Sequence, residues 1–98
     1  MTLPSTVIAH RVGARVRELR LDAEMTQGEL ARRISTHRPI VSRVERGLHM
    51  PRLEELERYA TALELDVATL LVCLDEAWID AGREATRFLE NQHNQPAV

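Results

Sequence analysis

Residues 26–47 read TQGELARRISTHRPIVSRVERG, with Leu30 and Ile34 before a break at Ser35 and Thr36, and Val41 and Val44 after it. Apolar residues three or four apart share one face of an α-helix, so the stretch predicts two short amphipathic helices that turn those faces toward each other. Thr26 stands just ahead of the first apolar run and Glu29 follows three positions later. A hydroxyl and a carboxylate at that spacing satisfy backbone donors that a helix start leaves open. The earlier helix is therefore expected to begin at Gln27. Ala31 is the small residue on its inner face, where a crossing helix can come close. Pro39 has no N–H and a fixed φ, which suits only the first turn of a helix, so the second helix is expected to start near His37 or Arg38. Gly47 supplies its stop.

Working outward, the pattern predicts a first helix from about Val7 to Ala23, with Val12, Val16 and Leu19 on its inner stripe. After Pro51 a fourth helix is expected from about Arg52 to Leu63, with Leu53, Leu56, Ala60 and Leu63 facing inward. Asp66 can cap a fifth. From there Val67, Leu71, Leu74, Trp78, Ala81, Ala85 and Phe88 recur at spacings alternating four and three, the heptad rule for a helix packed along a neighbour. A helix from Val67 to Glu90 would be about 36 Å long, more than a domain of this size can cover. Its outer half calls for a partner, most simply a second copy of the chain, with Leu74, Trp78, Ala81, Ala85 and Phe88 as the dimer seam. The other arrangement is a bend at Gly82 that folds the segment back over its own core. The expected organisation is thus a domain over 7–74 with its motif at 27–46, a helical extension over 75–90, and mobile ends at 1–6 and 91–98.

The chain has 98 residues, 44% of them hydrophobic and three of them aromatic, enough for one small core filled mainly by aliphatic side chains. The net charge of −2 conceals a strong asymmetry. Residues 1–52 carry ten arginines against five acids, whereas residues 53–98 carry three arginines against ten acids; there is no lysine. The basic half is the half with the paired helices, and a local positive field attracts phosphate whatever the charge of the whole. Cys73 lies in the apolar run Leu70–Leu74 and is expected to be a buried, reduced thiol. No basic segment followed by a long apolar run opens the chain and no window approaches a membrane span, so a cytoplasmic protein without a membrane partner is expected. His10, His37, His49, His93 and Cys73 show no metal-ligand spacing, and no nucleophile has a base or a glycine-rich loop beside it. Neither an enzyme nor a metal or cofactor site is expected.

Four blocks resemble the phage-repressor-like helix-turn-helix family, the xenobiotic-response-element class that includes the lambda and 434 repressors and Cro. They are Arg15–Arg20, Thr26–Ala31, Ser42–Gly47 and Pro51–Leu56, the last followed by Ala60, Ala62 and Leu63. The resemblance covers roughly Val12 to Leu71. It implies an all-α, five-helix lambda-repressor-like domain, here with an extended C-terminal fifth helix, that binds double-stranded DNA. Where the family usually has glycine and a small apolar residue at the corner, this chain has Ser35 and Thr36, so either strain or a slightly different turn angle is expected there.

The resemblance also implies roles for individual residues. The first turn of the second motif helix would enter the major groove, with Arg38 and Arg43 donating to guanine edges, Pro39 touching a thymine methyl, and His37 and Ser42 close enough to reach bases or phosphates. Gln27 would hold a phosphate at a helix start, with Thr26 beside it and Arg46 at a backbone-contacting position. Arg32 and Arg33 are either phosphate contacts or a solvated helix face. Arg20 and Glu45 would form a partly buried ion pair of structural purpose. Two readings follow: a dimeric repressor or controller protein on a palindromic operator, or an antitoxin or adaptor whose C-terminal helix engages a second protein, a toxin or a regulator.

Overall fold

The computed structural model describes residues 4–74. Among them are five helices and no strand: α1 (Ser5–Asp22), α2 (Gln27–Arg33), α3 (Arg38–Glu45), α4 (Leu53–Ala62) and α5 (Val67–Leu70). No helix among the described residues is long and apolar enough to cross a membrane. The expected extension over 75–90, with Trp78, Ala81, Ala85 and Phe88, lies outside the described residues, as do 1–3 and 91–98.

α1 packs on α3, α2 packs on α3, and α4 packs on α2 and α5. Val12, Val16, Leu30, Val41, Val44, Tyr59 and Leu70 are almost completely buried where these faces meet. The two motif helices thus share one core with α1 and α4, and their burial is what makes such short helices stable. α1 opens earlier than its apolar stripe suggests. The Pro4 carbonyl accepts from Val7 at 3.0 Å and Ile8 at 3.3 Å, so Ser5 and Thr6, expected in a mobile end, form the first turn.

Helices α1 to α4 end by one device. A residue with positive φ follows each C-cap: Glu24 (57°), Ser35 (58°), Gly47 (75°) and Glu64 (61°). The next amide reaches back to a carbonyl five residues earlier, as in Met25 to Arg20 (3.1 Å), Thr36 to Ala31 (2.8 Å), Leu48 to Arg43 (2.8 Å) and Leu65 to Ala60 (2.9 Å). These paired turns satisfy carbonyls that a helix end leaves open. Gly47 adopts the conformation at no steric cost. Ser35 does not, so the strain expected at the corner is present.

The close helix approach occurs at a residue the apolar pattern does not single out. A Cβ on Gly13 would run into the Val44 carbonyl oxygen and stand 2.9 Å from that of Glu45. α1 can therefore lie directly on the last turn of α3 only because residue 13 has no side chain. Ala31, the small residue expected at the crossing, is buried on α2.

α4 and α5 depart from expectation in two places. Leu53 was expected to face inward, yet it is 61% exposed, while Tyr59 is buried. Leu53 is the first residue of α4, and the buried face is formed by Leu56, Tyr59, Ala60 and Leu63. Burial, then the carboxylates of Glu55 and Glu45, push the Tyr59 phenol above its usual range, and it stays neutral. The fifth helix is not one unbroken rod from Val67. Asp66 caps it by accepting from the Thr69 amide at 2.7 Å, which holds its carboxyl below the usual range. A turn at Leu71 then interrupts the helix before helical backbone resumes at 72–74. That turn, tightened by the Leu74 amide donating to the Leu71 carbonyl at 2.9 Å, lets Leu70 and Cys73 both face inward. The heptad positions Val67, Leu71 and Leu74 are half-buried against the same core. The Cys73 thiol is buried and donates to the Leu70 carbonyl at 3.6 Å.

Candidate nucleic-acid interface

Val41, Val44 and Glu45 turn α3 into the domain, and the other side of the helix is left to solvent. On that side Arg38, Pro39, Arg43 and Arg46 are exposed and Ser42 is half-buried. Pro39, Arg43 and Arg46 follow each other at spacings of four and three, and Arg38 lies one turn before Ser42, so the five positions form one continuous strip. His37 is the exposed N-cap of α3 and makes no side-chain capping bond. Among the described residues neither Arg38 nor Arg43 is engaged in an ion pair, which leaves both guanidinium forks available to a ligand. Arg46 folds back instead, its Nε donating to the Ser42 carbonyl at 3.3 Å.

Behind this strip sits a buried polar cluster. Arg20 reaches from the last turn of α1 and donates from Nε to Glu45 Oε2 at 2.6 Å and from Nη2 to Glu45 Oε1 at 3.0 Å. Its remaining nitrogen, Nη1, donates to the Met25 carbonyl at 2.7 Å. The Glu45 side chain is only 2% exposed, and its hydrogen bond raises the Arg20 guanidinium above its ordinary value against the lowering effect of burial. Two hydrogen bonds in a planar fork allow one relative orientation of the two groups, so the pair holds α3 at a set angle to α1.

The start of α2 joins the same cluster. Thr26 caps the helix, its hydroxyl accepting from the Glu29 amide at 3.0 Å and donating to the Glu29 carboxylate at 3.3 Å. Gln27 is half-buried, and its side-chain amide donates to Glu45 Oε1 at 3.2 Å. Arg32 and Arg33 lie exposed in the last turn of the same helix. The structure thus brings Arg20, Gln27 and Glu45 together and aligns Arg38, Pro39, Ser42, Arg43 and Arg46. Thr26 and Arg32 lie toward opposite ends of α2. Leu74 stands apart, packed against the domain's own core.

Two features of the site escaped sequence reasoning. Nothing in the spacing of Gln27 and Glu45, eighteen residues apart, announces their contact. Gly13 had a signal, since a glycine within a helical pattern marks a place where backbone comes near. The described residues contain no group of three or more histidine, cysteine or acidic side chains able to hold a metal ion.

The arrangement has known counterparts. Residues 11–71 match the model of a family described as a helix-turn-helix domain. The restriction–modification controller protein C.AhdI from Aeromonas hydrophila is 34% identical, with 63% of this chain and 94% of that one covered at a TM-score of 0.62. A hypothetical transcription factor, NHTF, from Neisseria is 30% identical over 74% of this chain and 84% of its own, with a TM-score of 0.64. The clp gene regulator ClgR from Corynebacterium glutamicum has the same fold, at a TM-score of 0.71 and 24% identity, over 91% of this chain and 96% of that one. No curated protein matches the sequence.

Proposed function

Since the chain belongs to the helix-turn-helix family of the xenobiotic-response-element type, whose members are DNA-binding transcription regulators, we propose that it is a dimeric repressor or controller protein that reads a palindromic operator through the major groove. The observation that carries this reading is the exposed strip of α3, with Arg38 and Arg43 free of ion pairs among the described residues on a helix whose angle is set from behind by Arg20 and Glu45. Arg38 and Arg43 read guanine edges, Pro39 meets a thymine methyl, and His37 and Ser42 add contacts at the margin of the strip. Arg46 on the strip and Arg32, Thr26 and Gln27 on α2 and its cap hold phosphates, the last two at the positive end of the α2 dipole. The similarity to a restriction–modification controller protein supports the controller reading.

The heptad spacing that runs from Leu74 to Phe88 supports the dimeric reading. Two copies related by a two-fold axis place two recognition helices about 34 Å apart on one face of the duplex.

Selection of bound fragments from random duplex DNA, with sedimentation of the intact chain in the same buffer, tests the proposal. A two-fold symmetric consensus and a dimer are expected. Arg43→Ala should then relax preference at one base pair in each half-site at a cost of about 1–3 kcal/mol on the selected operator. Recovery of no consensus, or a monomer that binds every duplex alike, overturns the reading.

A further inference from the structure

We infer that Gln27 is a positioning residue for the recognition helix, one that governs discrimination between DNA sequences and not affinity alone. The inference rests on the DNA-binding reading above and goes beyond the phosphate contact assigned there.

Glu45 Oε1 accepts from Arg20 Nη2 and from Gln27 Nε2, Oε2 accepts from Arg20 Nε, and Arg20 Nη1 is held by the Met25 carbonyl. The four residues close a circuit through the end of α1, the loop after it, the start of α2 and the end of α3. A primary amide is planar and carries two N–H groups. One of those of Gln27 is pinned to an almost fully buried acceptor, so the direction of the other is set by the buried cluster and not by the free torsions of a long side chain. Gln27 is half-buried, which leaves a side open to a ligand.

A force on the outer N–H of Gln27 is therefore delivered to Glu45, and Glu45 is the last residue of α3. Arg38 begins the same helix, seven residues or about 10 Å away along the axis. A tilt of about 10° about the Glu45 end moves the Arg38 backbone by roughly 2 Å, enough to break a two-pronged contact to a base edge. The phosphate contact at Gln27 and the base contacts of Arg38 are satisfied together only when α3 is correctly seated, as it is on the operator and not on other DNA. A bare phosphate clamp has no such coupling.

The test is Gln27→Met in the full chain, because methionine keeps an unbranched side chain of similar length and removes the donors. On the selected operator the variant should bind about tenfold more weakly, the loss expected for a hydrogen bond to a charged group, and on a scrambled duplex of equal length less than about twofold more weakly. In the free protein the backbone amide resonances of Arg38 and of residues 40–45 should shift between wild type and variant. Parallel losses on both duplexes, or unmoved amide resonances in α3, overturn the inference. The resonance comparison needs no DNA, and the duplex comparison is made only where the wild-type chain selects an operator. Failure of the DNA-binding reading is thereby kept separate from failure of this one.

Discussion

The junction between α1 and α3 and the junction between α4 and α5 are built on opposite chemistries. The first combines a backbone-to-backbone approach at Gly13 with the forked pair Arg20–Glu45, both of which require one geometry. The second draws on Leu56, Tyr59, Ala60, Leu63 and Leu70, side chains that fill volume without directional bonds. Apolar surfaces contribute free energy in proportion to the area they hide and tolerate repacking. A buried charge pair contributes little net stability and tolerates almost nothing. The directional junction lies directly behind the helix that carries Arg38 and Arg43, where a small error in angle matters most.

Breaking that contrast should have its largest effect at Glu45. Glu45→Ala leaves the buried Arg20 guanidinium without its carboxylate, and urea unfolding should show a loss of about 3–5 kcal/mol. A loss below about 1 kcal/mol would mean that Arg20 finds another partner and that the pair does not set the helix angle.

The next largest effect is expected from Gly13→Ala, whose added methyl meets carbonyls that cannot move without moving α3 itself. Thermal unfolding should report a loss of about 2–3 kcal/mol. Gly28→Ala is the matched comparison, because a Cβ there would meet only Thr26 Oγ1, at 3.9 Å. It should be neutral or stabilise α2 by up to about 1 kcal/mol. Equal behaviour at the two positions would rule out close approach as the reason for glycine at 13.

The smallest effect sharpens the comparison between the two halves. Ser35 and Glu64 end α2 and α4 with nearly the same positive φ, 58° and 61°. Ser35→Gly and Glu64→Gly should each raise stability by about 0.5–1 kcal/mol in denaturant melts, because glycine adopts this conformation without strain. A gain at Glu64 and none at Ser35 would show that the motif corner offsets its strain through contacts the α4 end lacks.

Much of this domain was legible in its residues. The Thr26 cap, the Gln27 start, the break at Ser35, the proline in the first turn of α3, the stop at Gly47 and the Asp66 cap are local matters, each decided within a few positions of the chain. The outward strip of α3 was legible for the same reason, since helical spacing alone puts Arg38, Arg43 and Arg46 opposite Val41 and Val44. Leu53 was misread, and Tyr59 passed over, because an apolar stripe states which residues share a face and not where the neighbouring helix ends. The break at Leu71 in the helix expected from Val67 was missed likewise. A heptad rule followed Val67, Leu71 and Leu74, while the core claimed Leu70 and Cys73.

The order of amino acids by itself determined the helices, their caps, the concentration of arginine in residues 1–52 and the family resemblance, because these depend on backbone propensity, side-chain period and charge, all carried within a few residues. Only the tertiary structure decided that Gly13 lies against the carbonyls of α3, that Gln27 shares Glu45 with Arg20, and that Leu70 and Cys73 both face the core across the turn at Leu71. Those contacts join residues that chain folding alone brings together, and whether a hydrogen bond or a methyl group fits between two helices depends on distances of a few tenths of an ångström that no spacing rule contains.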